Sequence, residues 1–277
     1  MFDTLIHRWL KIPYALQVRT IQRPKRPRGT VLFIHGIGNN GDAWKDVITE
    51  LPDDVRVIAI DLLGFGKSPS PEWALYDART QANSVLATYF KLRIRGKIMI
   101  VGHSMGSLVA VEIAKRYPLL VRSLILCSPP FYNFDQTKFK LPKTDKALRR
   151  LYTSVSNNPD QFVKLTAFAI KYKLLDKSYS VTLENVDSYM AALNAMIINQ
   201  TSYDDVQTLR MPIKIIRGTL DPFVIAKNLK RVAKNQQNIQ LQTIVAGHEV
   251  KGFFIPAVIK SIKNYLPAHK QRGIKKK

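Results

Sequence analysis

Residues 97–118 read KIMIVGHSMGSLVAVEIAKRYP, and this stretch decides the fold. Its start, 97–102, is a short apolar run rich in β-branched residues, the pattern of a buried strand. Residues 104–117 carry a helix pattern that Pro118 closes, because proline cannot continue a helix. Between the two stands Gly102-His103-Ser104-Met105-Gly106. A serine flanked at two residues' distance by glycines is only a modest signal by itself. The strand before it and the helix after it make it specific. So sharp a turn needs its neighbours free of side chains. The turn lifts the serine above the sheet, beside a helix N-terminus whose dipole favours developing negative charge.

The same alternation continues on both sides. Strand-like runs occupy 30–35 (TVLFIH), 55–61 (VRVIAID), 121–127 (VRSLILC), 212–217 (PIKIIR) and 239–245 (IQLQTIV). Helix patterns occupy 42–51, 80–92, 223–235 and 256–266. Near-continuous apolar strands separated by helices predict an α/β fold, a mostly parallel doubly wound sheet with helices on both faces. Residues 12–21 add an expected antiparallel edge strand. The alternation stops between 129 and 206. There Phe162, Leu165, Thr166, Ala169 and Tyr172, and again Tyr189, Ala192, Leu193 and Met196, recur at helical spacing. The expected organisation is therefore a core of 1–128 and 207–277 with an inserted helical cap, 129–206.

With these segments in place, residues 12–266 resemble the α/β-hydrolase family. His35-Gly36-Ile37-Gly38 matches the family's HGxG turn, and Asp61 to Ser68 (DLLGFGKS) looks like its DxxGxGxS segment. The resemblance makes Ser104 the nucleophile and the backbone amides of Ile37 and Met105 the oxyanion hole. Acyl transfer needs two such donors aimed at the tetrahedral oxyanion. It implies a bracing role for His35 and a structural one for Asp61. A serine hydroxyl also needs a base. Of five histidines, His7 and His269 lie in terminal segments and His35 and His103 in motif turns. His248 follows the last strand-like run, where family members carry their base. Asp221 follows the run 212–217, and the order Ser, Asp, His is the one this fold uses. Asp221 also precedes Pro222, so a turn or cap role competes with the catalytic one. Some relatives place the acid one strand earlier, where this chain has Cys127-Ser128-Pro129-Pro130 and no carboxylate.

These residues together imply a Ser-His-Asp mechanism through an acyl-enzyme, needing neither metal nor organic cofactor. Relatives that act as dehalogenases and epoxide hydrolases carry Asp at the nucleophile position, which Ser104 argues against. The expected substrate is a small hydrophobic ester of short to medium acyl length. The cap and loop edges supply Phe131, Tyr132, Phe134, Phe139, Tyr152, Phe162, Phe168, Tyr172, Tyr189, Met190 and Met196 as an apolar lining or as cap packing. His35, Gly36, His103, Phe131 and Trp44 are expected to line the substrate site, with Phe65 as a further wall candidate. Two alternatives stand beside ester hydrolysis: carbon–carbon bond hydrolysis on the same triad, and a non-catalytic binding module at a membrane surface.

Composition bounds the rest. A chain of 277 residues, 46% apolar, can bury one sizeable core. It contains no apolar run long enough to span a membrane and no secretory leader pattern. Its single cysteine, Cys127, permits no internal disulfide, and a cytoplasmic location is expected. The net charge of +23 is concentrated at the ends: residues 1–30 hold seven basic and one acidic side chain, residues 206–277 fifteen and two. This excess fits a basic solvated surface, or peripheral contact with anionic lipid through the termini, including Lys275 to Lys277. No aromatic-interleaved basic motif accompanies it, so no specific nucleic-acid partner is expected.

Overall fold

The computed structural model describes residues 2–133, 143–172, 179, 181–183, 185–234 and 236–268. Phe134, Phe139, His269 and the tail Lys275 to Lys277 lie outside the described residues. Seven strands form one sheet: β1 Val18–Gln22, β2 Gly29–Ile34, β3 Val55–Ile60, β4 Ile98–His103, β5 Val121–Cys127, β6 Ile213–Gly218 and β7 Ile239–Ile244. Their order is β1-β3-β2-β4-β5-β6-β7. Only β1 runs antiparallel, against β3; every other pair is parallel.

Parallel neighbours need crossovers, and helices provide them. Three precede the cap: α1 Lys45–Thr49, α2 Ala78–Lys91 and α3 Met105–Arg116. Four lie between β5 and β6: α4 Lys143–Ser156, α5 Pro159–Lys171, α6 Val186–Ala192, which widens into a π-type turn at Leu193–Ile198, and α7 Ser202–Asp205. Two follow: α8 Ala226–Lys234 and α9 Phe254–Tyr265. None is long and apolar enough to cross a membrane.

The central strands β2 to β5 show little polar alternation because both faces are covered, whereas the edge strands β1 and β7 are partly exposed. Leu32, Ile34, Ile98, Ile100, Leu124 and Leu126 pack with α2, α3 and α8. Their neighbours Val31, Phe33, Met99, Val101, Ile125 and Cys127 pack with α1 and α9. Successive side chains thus feed two cores from one apolar run.

Two boundaries differ from the sequence expectation. The edge strand is Val18–Gln22, not 12–21. Tyr14 and Leu16 are buried, and the Leu16 amide donates to Thr88 Oγ1 on α2 at 2.7 Å, so this stretch packs onto the core without joining the sheet. The pattern at 42–51 divides into a 3₁₀ turn, Gly41–Trp44, capped by the Asn40 side chain, and α1.

The inner half of the cap is fastened to the core. Ser188 on α6 meets Ser70 through their hydroxyls at 2.5 Å and donates to the Tyr76 hydroxyl at 3.2 Å. Val186, Tyr189 and Ala192 on the same helix are buried. The outer hairpin, α4 and α5, leaves Leu151, Leu165 and Phe168 exposed.

Candidate active site

Ser104 follows β4 and stands at the N-terminal cap of α3 with φ 49° and ψ −122°. A non-glycine residue there is strained by about 1–3 kcal/mol and persists only where its surroundings hold it. Its amide donates to the Cys127 carbonyl at 2.9 Å, which ties the turn to β5. The flanking glycines are needed for space. A Cβ on Gly106 would stand 2.4 Å from the Ile34 carbonyl oxygen and 2.5 Å from that of His35. A Cβ on Gly102 would stand 2.6 Å from the Gly106 carbonyl oxygen.

The loop after β2 is braced from below. His35 is fully buried; its Nδ1 donates to the Gly36 carbonyl at 2.7 Å and its Nε2 accepts the Leu62 amide at 2.9 Å. Burial pushes its pKa down to about 4, so the ring is neutral. Asp61 is also fully buried. It accepts from Arg19 Nε at 2.7 Å, the Gly41 amide at 2.8 Å and the Lys67 amide at 2.8 Å. His35 and Asp61 thus lock two loops together. Above them, the Ile37 and Met105 amides donate to no protein acceptor among the described residues.

Asp221 and His248 follow β6 and β7. Their loops touch closely: a Cβ on Gly218 would meet the Ala246 carbonyl oxygen at 2.2 Å, and the Leu220 amide donates to that carbonyl at 3.0 Å. His248 Nδ1 donates to Asp221 Oδ2 at 2.8 Å, and the Phe223 amide donates to Asp221 Oδ1 at 2.9 Å. This arrangement leaves His248 Nε2 as the free ring nitrogen. Burial opposes the charge on Asp221, but His248, the nearby Ser128 hydroxyl and the Phe223 amide hold its carboxyl below the ordinary value. His103, in the elbow, donates from Nε2 to the His248 carbonyl at 2.9 Å. Burial first, and then the neighbouring His248, lower the pKa of His103. No hydrogen bond joins Ser104 Oγ to His248 among the described residues. Both side chains line one cavity, and such bonds often tighten only when substrate binds.

That cavity has a volume of about 400 Å³. Tyr152, Val155, Phe162, Leu165, Leu193 and Ile197 of the cap form much of its wall, and Gly36, Ile37, His103 and Phe223 contribute from the core. Among the described residues Glu249 is its only carboxylate, and no lysine or arginine lines it. Trp44 and Phe131 do not reach it. Trp44 turns under the β2 loop and packs at a tilt against Phe33, 5.1 Å between ring centroids, on the sheet face opposite α3. Phe131 is buried in the core; Pro130, its neighbour, reaches the wall instead. His35 lies behind the loop, and Phe65 is wedged between His35 and Tyr189. Sequence reasoning missed Asn39, Pro130, Tyr179, Phe223 and Glu249. Only Glu249, beside His248, carried a positional hint. Among the described residues no group of three His, Cys, Asp or Glu side chains is placed to hold a metal ion.

Residues 29–251 match the alpha/beta hydrolase fold family. A probable lysophospholipase of Arabidopsis thaliana, BODYGUARD 4, is 34% identical over 110 residues, 39% of this chain and 26% of its own length. The chain thus spans about a quarter of that relative. The 2-(acetamidomethylene)succinate hydrolase of Mesorhizobium japonicum is 25% identical over 89% of this chain and 91% of its own. Among solved structures, a thermophilic esterase from Thermogutta terrifontis has a TM-score of 0.69 at 23% identity, covering 87% of this chain and 92% of that one.

Proposed function

This chain belongs to the alpha/beta hydrolase family, and from that premise we propose that it is a serine hydrolase cleaving esters of apolar acyl groups. The observation that carries the reading is the Asp221–His248 hydrogen bond on the wall of a largely apolar cavity that also holds Ser104. In the proposed reaction His248 Nε2 takes the Ser104 proton as Oγ adds to the ester carbonyl. The Ile37 and Met105 amides receive the oxyanion, and His248 returns the proton to the departing alkoxide. Water, deprotonated by the same nitrogen, then releases the acid and restores the serine. Asp221 stays ionised and holds the ring in the required tautomer.

A second reading, hydrolysis of a carbon–carbon or enamide bond, uses the same residues. The Mesorhizobium relative is named for a succinate derivative, which is a dicarboxylate. Among the described residues the cavity wall carries no lysine or arginine to pair with such a substrate, which favours the neutral ester. The test is intact mass after a fluorophosphonate, followed by p-nitrophenyl esters of graded chain length. One adduct on the wild type, absent from Ser104→Ala and slowed in His248→Ala, supports the reading. Folded wild type that takes no adduct and turns over no ester overturns it.

A further inference from the structure

The first residues of the chain expose more apolar surface than a solvated segment needs. Phe2 is 81% exposed and Trp9 72%, with Leu5, Leu10 and Ile12 at least half exposed. The segment is nevertheless fixed. His7 stacks on Tyr14 at 3.6 Å, and the Tyr14 hydroxyl donates to Asp3 at 2.6 Å, so the segment is held against the protein through His7 while Phe2, Leu5, Trp9 and Leu10 face out, and the exposed Asp3 carboxylate beside them is engaged by Tyr14 and His7. Beside it Arg8, Lys11 and Arg79 line a groove of about 620 Å³. None of the three is ion-paired among the described residues, and the one acid of that groove, Asp77, is engaged in capping α2. Topology sets the direction of this face. Val18 pairs with Ile60 at the carboxyl end of β3, so the antiparallel β1 brings residues 2–17 in at the carboxyl end of the sheet, the end that carries Ser104. On the cap, Leu165 is 59% exposed while also lining the cavity, as Leu151 does in part, so apolar surface runs from the cavity to the outside at that end.

We infer that the N-terminal segment docks this protein on an anionic phospholipid surface. Phe2 and Trp9 enter the interface, and Arg8, Lys11 and Arg79 meet the phosphates. Exposed aromatics beside unpaired cations are the composition such a surface selects. Of the two basic termini through which the sequence placed the contact, this assigns it to the N-terminal one, as a structured amphipathic face. That it brings ester substrate to the cavity rests on the hydrolase reading; the docking itself does not.

The test is flotation of the full chain with vesicles of equal parts phosphatidylcholine and phosphatidylglycerol, against phosphatidylcholine alone, at low salt. Wild type should float with the mixed vesicles only. The Phe2→Ser, Trp9→Ser double variant should bind about tenfold more weakly or worse, with turnover of a short soluble ester unchanged. Wild type that stays at the bottom overturns the inference. So does a double variant that floats like wild type, which would assign the contact to the basic tail. Wild type that sediments in buffer as a dimer, and the double variant as a monomer, would assign the face to a second copy of the chain. Loss of soluble-ester turnover in wild type would strike the hydrolase reading and leave the flotation result standing.

Discussion

At Asp221 burial and charge pull in opposite directions, and the hydrogen bond to His248 decides the outcome. Asp221→Asn removes the charge and presents an amide donor to His248. On the proposed mechanism kcat should fall by about 10³–10⁴, with KM little changed, in steady-state kinetics on a soluble ester. His35 makes a different prediction. Its pKa in the fold is about 4, against 6.5 unperturbed, so the unfolded chain binds the proton more readily. This contribution to stability is full above about pH 6.5 and is lost as pH falls toward 4. It changes by at most about 1.4 kcal/mol per pH unit. Urea midpoints should drop on acidification, and His35→Gln should lower the midpoint at pH 7 while flattening its fall. That Ser104, Asp221 and His248 come together at one cavity was legible in the sequence because each stands just after a recognisable strand. Trp44 and Phe131 were misread because nothing local tells an aromatic facing a cavity from one facing a core.

The elbow and the His248 loop differ in how much space surrounds their glycines. Gly106 lies under two carbonyl oxygens, so Gly106→Ala should cost about 1–3 kcal/mol in chemical denaturation and abolish the fluorophosphonate adduct. Gly247, next to His248, has open space at its Cβ position. Gly247→Ala should leave stability within about 0.5 kcal/mol of wild type. The five central strands were legible because double-sided burial leaves near-continuous apolar runs. The start of β1 was not, since Tyr14 and Leu16 look like strand residues but are buried by packing alone. The cap was legible as helical, yet how it is fastened to the core depends on contacts such as Ser70 with Ser188 and Tyr132 with Tyr152, which are distant in sequence.

Across the whole molecule, a net charge of +23 repels itself. Added salt should therefore raise the thermal midpoint between low and physiological ionic strength, while it weakens flotation with anionic vesicles. Calorimetry and flotation along one salt series would separate the two trends, and a midpoint that falls with salt would show that attractive pairs such as Arg19–Asp61 outweigh the repulsion. The sheet order has a further consequence. Ser104 follows β4, at the middle of the sheet, whereas Asp221 and His248 follow β6 and β7, the last strands to be added. During synthesis Ser104 leaves the ribosome early, then the entire cap, and only afterwards Asp221 and His248. On the proposed mechanism, a polypeptide abandoned anywhere before β7 would carry Ser104 without the histidine that deprotonates it. Interrupted translation of this message would then yield chemically silent debris, never a loose hydrolase.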